Sequence, residues 1–162
     1  MKDSRKLNLR GRRYINGNPV DPEALLPAAF VEQDVNFFPH MTVSETLQFR
    51  VSLKLGSLVT ARERDKIVHN LMEQLGLTKS ADTMVGNTKI RGLSGGERKR
   101  LSIAVEMISS PSLIFLDEPT SGLDSAAAAS LVQKLRTLAD QGKTIVAVIH
   151  QRTYISRVLK FV

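Results

Sequence analysis

Two adjacent acids, Asp117 and Glu118, come directly after the apolar run at 113–116. The run predicts a buried strand, and the carboxyl end of such a strand is the edge at which open α/β sheets bind ligands. Carboxylate oxygens suit a hard cation such as Mg²⁺, so Asp117 is a candidate metal ligand. Glu118 is a candidate general base, placed to accept a proton from an attacking water or to orient that water. Taken alone, the pair also fits an ordinary strand-to-loop turn.

The sequence Ser94-Gly95-Gly96-Glu97 has the spacing of a capping box, so it predicts a helix that begins here. The unpaired amides and the dipole of a helix start favour an anion, and two glycines let the backbone approach a phosphate without side-chain obstruction. A well-capped helix without a ligand explains Ser94 and Glu97 equally well. It does not explain the paired glycines, which cost helix stability in the first turn.

Similar signals in the sequence predict the helices and strands that must position these residues. The same capping spacing at Thr42 and Glu45, and at Thr60 and Glu63, predicts two further helices. These helices and the one that begins at Ser94 form a helical block that ends before Pro111.

The second half of the chain reads as an α/β block. An apolar strand at 112–116, a helix at 125–139 and another apolar strand at 144–149 form a βαβ unit. A strand, a helix and a strand in this order imply a parallel sheet. The sequence therefore predicts a helical block joined to a parallel α/β block.

Composition excludes several classes of protein. The formal net charge is +7, there is no cysteine or tryptophan, and there are two tyrosines. Absence of cysteine excludes a disulfide scaffold and thiolate metal sites. No apolar run reaches the roughly 20 residues of a membrane-spanning helix, so we expect any membrane association to go through a partner or through sequence outside these 162 residues. The basic charge suits nucleic acid, anionic headgroups or nucleotide phosphates, but the scarcity of aromatic residues argues against a single-stranded nucleic acid.

The chain resembles the ABC ATPase family through four motifs in family order. They are Leu-Ser-Gly-Gly-Glu at 93–97, the acids Asp117 and Glu118, Pro-Thr-Ser-Gly-Leu-Asp at 119–124, and a strand that ends in His150. The runs at 91–106 and 117–125 are most similar to the G subfamily. Its members are half-transporters and drug-resistance type proteins, in which the ATPase domain precedes the membrane domain. The resemblance covers residues 14–151.

By this resemblance, the run at 93–97 is the signature motif, which meets the nucleotide of a partner domain. Its contacting residues are Ser94, Gly95, Gly96 and Glu97. The Walker B acids are Asp117, which holds Mg²⁺, and Glu118, which is catalytic.

The resemblance also assigns the remaining motifs. The D-loop consists of Ser121, Gly122, Leu123 and Asp124. His150 resembles the switch histidine that contacts the γ-phosphate, and Gln33 resembles the Q-loop glutamine that meets Mg²⁺ and the attacking water. The following segment, 34–41, would face the membrane domain of the transporter.

The implied fold is α/β: a partial P-loop NTPase core with a parallel sheet, plus an α-helical subdomain that carries the signature motif. Residues 1–33 would be a remnant of N-terminal strands after an unmatched basic start. Residues 34–110 would form the Q-loop and the helical signature subdomain. Residues 111–162 would form the α/β core with Walker B, the D-loop and the switch histidine.

One family motif is absent from these 162 residues, the phosphate-binding loop G-x-x-x-x-G-K-[ST] known as Walker A. The triplet Gly142-Lys143-Thr144 matches only in part, because position 137 is Thr rather than Gly. It also follows a predicted helix and precedes a predicted strand, the reverse of the required order. We therefore expect a chain that is truncated at both ends relative to a complete domain and inactive alone.

The leading interpretation is an ATPase domain that uses ATP and Mg²⁺ to drive transport across a membrane. Expected partners are a second ABC ATPase domain, arranged head to tail, and a membrane domain that holds the chain at the cytoplasmic face of a membrane. No nucleic-acid partner is expected. One alternative is a non-catalytic partner that donates the signature motif in trans. Another is a soluble ABC-type ATPase that acts on nucleic acid or ribosomes. The similarity of the motif sequences to the G subfamily argues against this alternative.

Overall fold

The computed structural model describes residues 13–15, 18–20, 28–33 and 35–149. These residues form five strands: β1 (Arg13–Ile15), β2 (Asn18–Val20), β3 (Ala28–Val31), β4 (Leu113–Asp117) and β5 (Thr144–Val148). They also form four α-helices: α1 (Val43–Leu55), α2 (Ala61–Leu75), α3 (Gly95–Met107) and α4 (Ser125–Asp140). Short 3₁₀ helices lie at Gly56–Leu58 and Thr78–Ser80.

The three predicted capping boxes all form. Thr42, Thr60 and Ser94 each accept a hydrogen bond from the backbone amide three residues later. The glutamate carboxylate at that position accepts a hydrogen bond from the backbone amide of the cap residue. Each box satisfies donors that the first helical turn leaves without an intrahelical partner. Local sequence alone therefore accounts for where α1, α2 and α3 begin.

Strands β3, β4 and β5 form a parallel sheet in that order, and β1 pairs with β2 in an antiparallel hairpin. The helices α1, α2 and α3 all lie in the crossover between β3 and β4. Because the strands are parallel, their carboxyl ends meet at one edge. Gln33 follows β3 at this edge, and Asp117 ends β4 opposite Val148. The predicted α/β architecture is confirmed.

Helix α3 is central to the packing. It contacts α1, α2, α4 and β3. One hydrophobic core runs through the helices and the sheet without interruption, and α3 contributes Leu101, Ile103, Ala104, Val105 and Met107 to it. The helix that begins at the predicted signature motif is therefore held by three other helices and by β3.

One face of the parallel sheet is exposed. The apolar runs predict strands that are buried on both faces, yet burial alternates along β3 and β4. Phe30, Phe115 and Val146 pair in one row across the three strands, and all three are exposed. Only the opposite face, with Val31, Ile114 and Leu116, packs in the core.

None of the helices in the described ranges is long and apolar enough to cross a membrane.

Candidate functional site

The start of α3 presents the predicted signature residues. Ser94 is the N-cap, and its hydroxyl accepts the Glu97 amide at 3.3 Å while donating to Glu97 Oε2 at 2.7 Å. The Ser94 amide donates to the same oxygen at 2.9 Å. Ser94 and Gly95 are exposed, so this helix end faces solvent. The amides of Gly95 and Gly96 lie in the first turn, where no carbonyl of the helix reaches them.

The two glycines also have a packing role that the sequence argument missed. A Cβ at Gly96 would lie 3.2 Å from Cβ of Ala127 in α4, and one at Gly95 would lie 3.2 Å from Cδ2 of Leu123. Leu123 has a flexible side chain that can move, whereas Ala127 is fixed on a helix. The close approach of α3 to α4 therefore explains why position 96 is a glycine, without any ligand. Packing constrains the residue type less at position 95, which is exposed.

We expect Gly96→Ala to lower the free energy of unfolding by about 1–2 kcal/mol, because the added methyl overpacks the contact with Ala127. The loss would occur despite a helix propensity that favours Ala over Gly by about 1 kcal/mol. Chemical denaturation of Gly96→Ala, Ala127→Gly and the double variant measures the coupling between the sites.

The double variant should recover about 1 kcal/mol or more relative to the sum of the single effects. Ala129→Gly, an exposed position on the same helix, is the matched control and should add to Gly96→Ala without coupling. Additive effects at Gly96 and Ala127 would show that the contact between them does not limit the approach of the helices.

The two acids lie at the carboxyl end of β4, as predicted. Asp117 is exposed and Glu118 is half-buried. Glu118 has φ 42°, in the left-handed region, and its amide donates to the Val148 carbonyl at 3.1 Å. A non-glycine residue in this region, directly before a proline, carries backbone strain of about 1–3 kcal/mol. Strain of this kind is concentrated at functional sites, and it fixes the direction in which the Glu118 side chain leaves the strand.

The predicted D-loop is a tight turn between β4 and α4. The Ser121 amide donates to the Glu118 carbonyl at 3.1 Å, and Gly122 takes φ 71°. Asp124 is the N-cap of α4 and accepts the Ala127 amide at 2.8 Å. Asp124 therefore has a structural role as a helix cap, which its assignment to the D-loop did not predict.

The segment after β3 is attached to α3 by two basic side chains. Buried Lys99 donates from Nζ to the Gln33 carbonyl. Arg98 donates to the Gly86 carbonyl at 2.8 Å, and its guanidinium lies 5.7 Å from the centroid of the Phe37 ring. Helix α3 thus holds the backbone of the predicted Q-loop glutamine, while the Gln33 side chain is exposed.

A cavity of about 540 Å³ opens where these three segments meet. It is lined by the segment after β3, by one face of α3 and by the loop before α4: Gln33, Val35, Asn36, Phe37, Gly95, Arg98, Lys99, Ser102, Ser121, Gly122 and Leu123. The structure therefore brings together three of the predicted motifs. The remaining predicted residues, Ser94, Gly96, Glu97, Asp117, Glu118 and Asp124, lie outside this lining. His150 lies outside the described residues.

Glu97, the glutamate of the predicted signature motif, is held as a carboxylate. Hydrogen bonds from the Ser80 and Ser94 hydroxyls lower the pKa of Glu97 below its ordinary value of 4.5, against the opposing effect of burial. A backbone hydrogen bond from Thr60 likewise lowers the pKa of Glu63. Both side chains therefore bear a negative charge at neutral pH.

Magnesium is the metal that the predicted residues would bind. Within the described residues, no group of three or more His, Cys, Asp or Glu side chains could hold a metal ion. Mg²⁺ is usually bound by one or two protein oxygens together with waters and substrate phosphates. A carboxylate at Asp117, which ends β4, and an amide oxygen at Gln33, which follows the neighbouring strand β3, fit that donor set.

Sequence reasoning missed Ser80, Lys99 and Ala127, each of which contacts a predicted motif. A signal for Lys99 was present, because positions 95, 98, 99 and 102 share one helical face and are glycine or polar. No local signal marks Ser80 or Ala127, since their partners lie in distant parts of the chain.

The family model described as ABC transporter matches residues 8–121. The chain belongs to this family. It is 48% identical to ABC transporter G family member 7 of Arabidopsis thaliana over 148 residues, which is 91% of this chain and 20% of that protein. It is 50% identical to ABC transporter G family member 25 of Arabidopsis thaliana over 145 residues, 89% of this chain and 22% of that protein.

A further relative is ABC transporter G family member STR of Petunia hybrida, 43% identical over 148 residues, 91% of this chain and 18% of that protein. The chain spans about a fifth of the length of these relatives. Together with the α/β fold, the matches identify the chain with the ATP-binding domain of G-family transporters. The predicted resemblance is confirmed.

Proposed function

We propose that this chain supplies the signature half of an ATP site to a second ABC ATPase domain, arranged head to tail, in a transporter driven by ATP hydrolysis. The observation that carries the proposal is the exposed start of α3, where Ser94 and Gly95 face solvent on a helix fixed by the core. A helix start that is open to solvent and bears a glycine can approach the γ-phosphate of a nucleotide bound elsewhere.

In a head-to-tail pair, the residues at this chain's own sheet edge would belong to the second ATP site and not to the site that receives Ser94. Asp117 and Gln33 would hold Mg²⁺, which neutralises charge on the phosphates when bound. Glu118 would accept a proton from the attacking water, and His150 would contact the γ-phosphate. The D-loop, residues 121–124, joins the Glu118 turn to α4. It would transmit movement between the two ATP sites of the pair.

The 162 residues contain no phosphate-binding loop, and this predicts that the chain alone does not hydrolyse ATP. The amides and lysine of that loop provide most of the phosphate binding in P-loop enzymes. Release of inorganic phosphate from Mg-ATP should equal the buffer blank. Glu118→Gln is the control for contaminating enzymes, because turnover that disappears in this variant would belong to the chain and contradict the prediction.

A complementation assay tests the proposed function. The partner is a G-family ATPase domain with an intact phosphate loop and with Ala in place of its own signature serine, so that it is slow by itself. Adding the chain should raise the ATPase rate of the mixture, saturate with chain concentration and depend on Ser94. No increase at any ratio, with both proteins folded, would refute donation of the signature motif in trans.

The membrane domain is the second proposed partner. Residues 35–37 line the cavity, and the next residue, exposed Phe38, packs its ring edge-on against Phe49 at a centroid distance of 6.0 Å. Exposed aromatic residues on a rigid helical block suit a protein contact. A contact of this kind would hold the chain at the cytoplasmic face of a membrane.

A further inference from the structure

The carboxylate of Glu97 is held from two sides. Its Oε2 accepts bonds from the amide and hydroxyl of Ser94, at 2.9 and 2.7 Å. Its Oε1 accepts a bond from the hydroxyl of Ser80, which lies outside the helix and 17 positions earlier in the chain. A third residue therefore holds the capping box that forms the signature motif.

The box at the start of α2 has nearly the same geometry without a third residue. There the amide and hydroxyl of Thr60 donate to Glu63 Oε2 at 2.7 and 2.8 Å, and the Glu63 amide donates to Thr60 Oγ1 at 3.3 Å. Among the described residues no group donates to the other oxygen of Glu63. The bond from Ser80 is thus an addition to the box and not a requirement for capping a helix.

Ser80 is itself firmly placed. It is 8% exposed and belongs to the 3₁₀ turn Thr78–Ser80 after α2. Its amide donates to the Leu77 carbonyl at 2.9 Å, and the Ser44 amide at the start of α1 donates to the Ala81 carbonyl at 3.0 Å. The hydroxyl of Ser80 therefore connects α1 and α2 to the start of α3.

The negative charge of Glu97 lies beside a helix start that is proposed to receive a phosphate. A carboxylate free to rotate toward that phosphate would repel it, since like charges a few ångströms apart are destabilising. The hydroxyl of buried Ser80 holds one oxygen of Glu97, and Arg100 on the same helix adds a favourable charge. The Ser94 hydroxyl can then turn its proton to a phosphate oxygen while the carboxylate stays in place.

We propose that Ser80 is a positioning residue of the signature motif, which acts by holding the Glu97 carboxylate away from the incoming phosphate and against Ser94. The proposal rests on the proposed role of Ser94 as a donor to a partner's ATP. It adds that the connection between α2 and α3, through Ser80, controls the position of the Glu97 carboxylate within the signature motif. Ser80 does not touch the nucleotide.

The first test is a titration of the full chain, without ATP, in which the Glu side-chain carboxyl signals are followed by NMR. Ser80→Ala should raise the pKa of Glu97 toward its ordinary value, because its largest stabilising bond is lost. Glu63 serves as the internal control and should titrate unchanged. Ser80→Cys, close in volume and a weaker donor, should give an intermediate shift and guards against loss of folding. An unchanged Glu97 titration in both folded variants would overturn the proposal.

The second test is turnover in the complementation assay. Ser80→Ala should lower the rate at saturating ATP about three- to tenfold with little change in KM, as expected for one hydrogen bond that matters in the closed state. Ser57→Ala, an exposed serine of the helical block, should have no effect. A shifted Glu97 titration with normal turnover would overturn the positioning role. If the unmodified chain gives no turnover, the proposed function fails, while the titration still decides whether Ser80 holds Glu97.

Discussion

Gly95→Asp in this chain is expected to lower the ATPase rate of the complemented pair by more than the roughly 100- to 1,000-fold that the loss of one preorganised donor costs. The substitution places a negative charge at the helix start, where the proposed site would receive the oxygens of the partner's γ-phosphate. Because this contact forms mainly in the closed state that precedes hydrolysis, turnover should fall more than ATP affinity. Initial rates over a range of ATP concentrations separate the two effects.

Two variants control for size and charge. Gly95→Ala adds a methyl that meets only the flexible end of Leu123, at 3.2 Å, and should cost far less than Gly95→Asp. Ser57→Asp adds the same charge at an exposed position away from α3 and should leave the rate unchanged. If Glu118→Gln abolishes turnover while Gly95→Asp does not, the chain contributes the opposite half of the site.

Leu101→Ala is expected to lower the free energy of unfolding by about 2–5 kcal/mol, the range for removing a fully buried leucine side chain. Leu101 has 0% exposure and lies on α3, which contacts α1, α2, α4 and β3. The cavity left by the side chain cannot collapse easily where several elements meet. Since domains are stable by only about 5–15 kcal/mol, such a loss is a large part of the total.

Denaturant unfolding followed by circular dichroism measures this loss. Leu53→Ala is the matched control, because Leu53 is 64% exposed on α1 and its truncation should change stability by less than about 0.5 kcal/mol. Similar losses for Leu101→Ala and Leu53→Ala would contradict the central position of α3 in the core.

The sequence by itself determined the elements and the sheet edge. Three capping boxes predicted the starts of α1, α2 and α3, because a cap is satisfied by residues within one turn. The βαβ pattern predicted that β4 and β5 are parallel, which puts Asp117 and Glu118 at the carboxyl edge. These features depend on neighbours in the chain, so local chemistry was sufficient.

Only the tertiary structure decided which residues meet around those elements. Helical periodicity indicates which face of α3 is buried but not what packs against it, and this is why Gly96 was interpreted from phosphate chemistry alone. Its contact with Ala127 depends on how closely α3 approaches α4. The bonds from Ser80 to Glu97 and from Lys99 to the Gln33 carbonyl join segments that come together only after the crossover between β3 and β4 has folded. Long-range contacts of this kind leave no periodic trace in the sequence, because each depends on the distance and angle between packed elements.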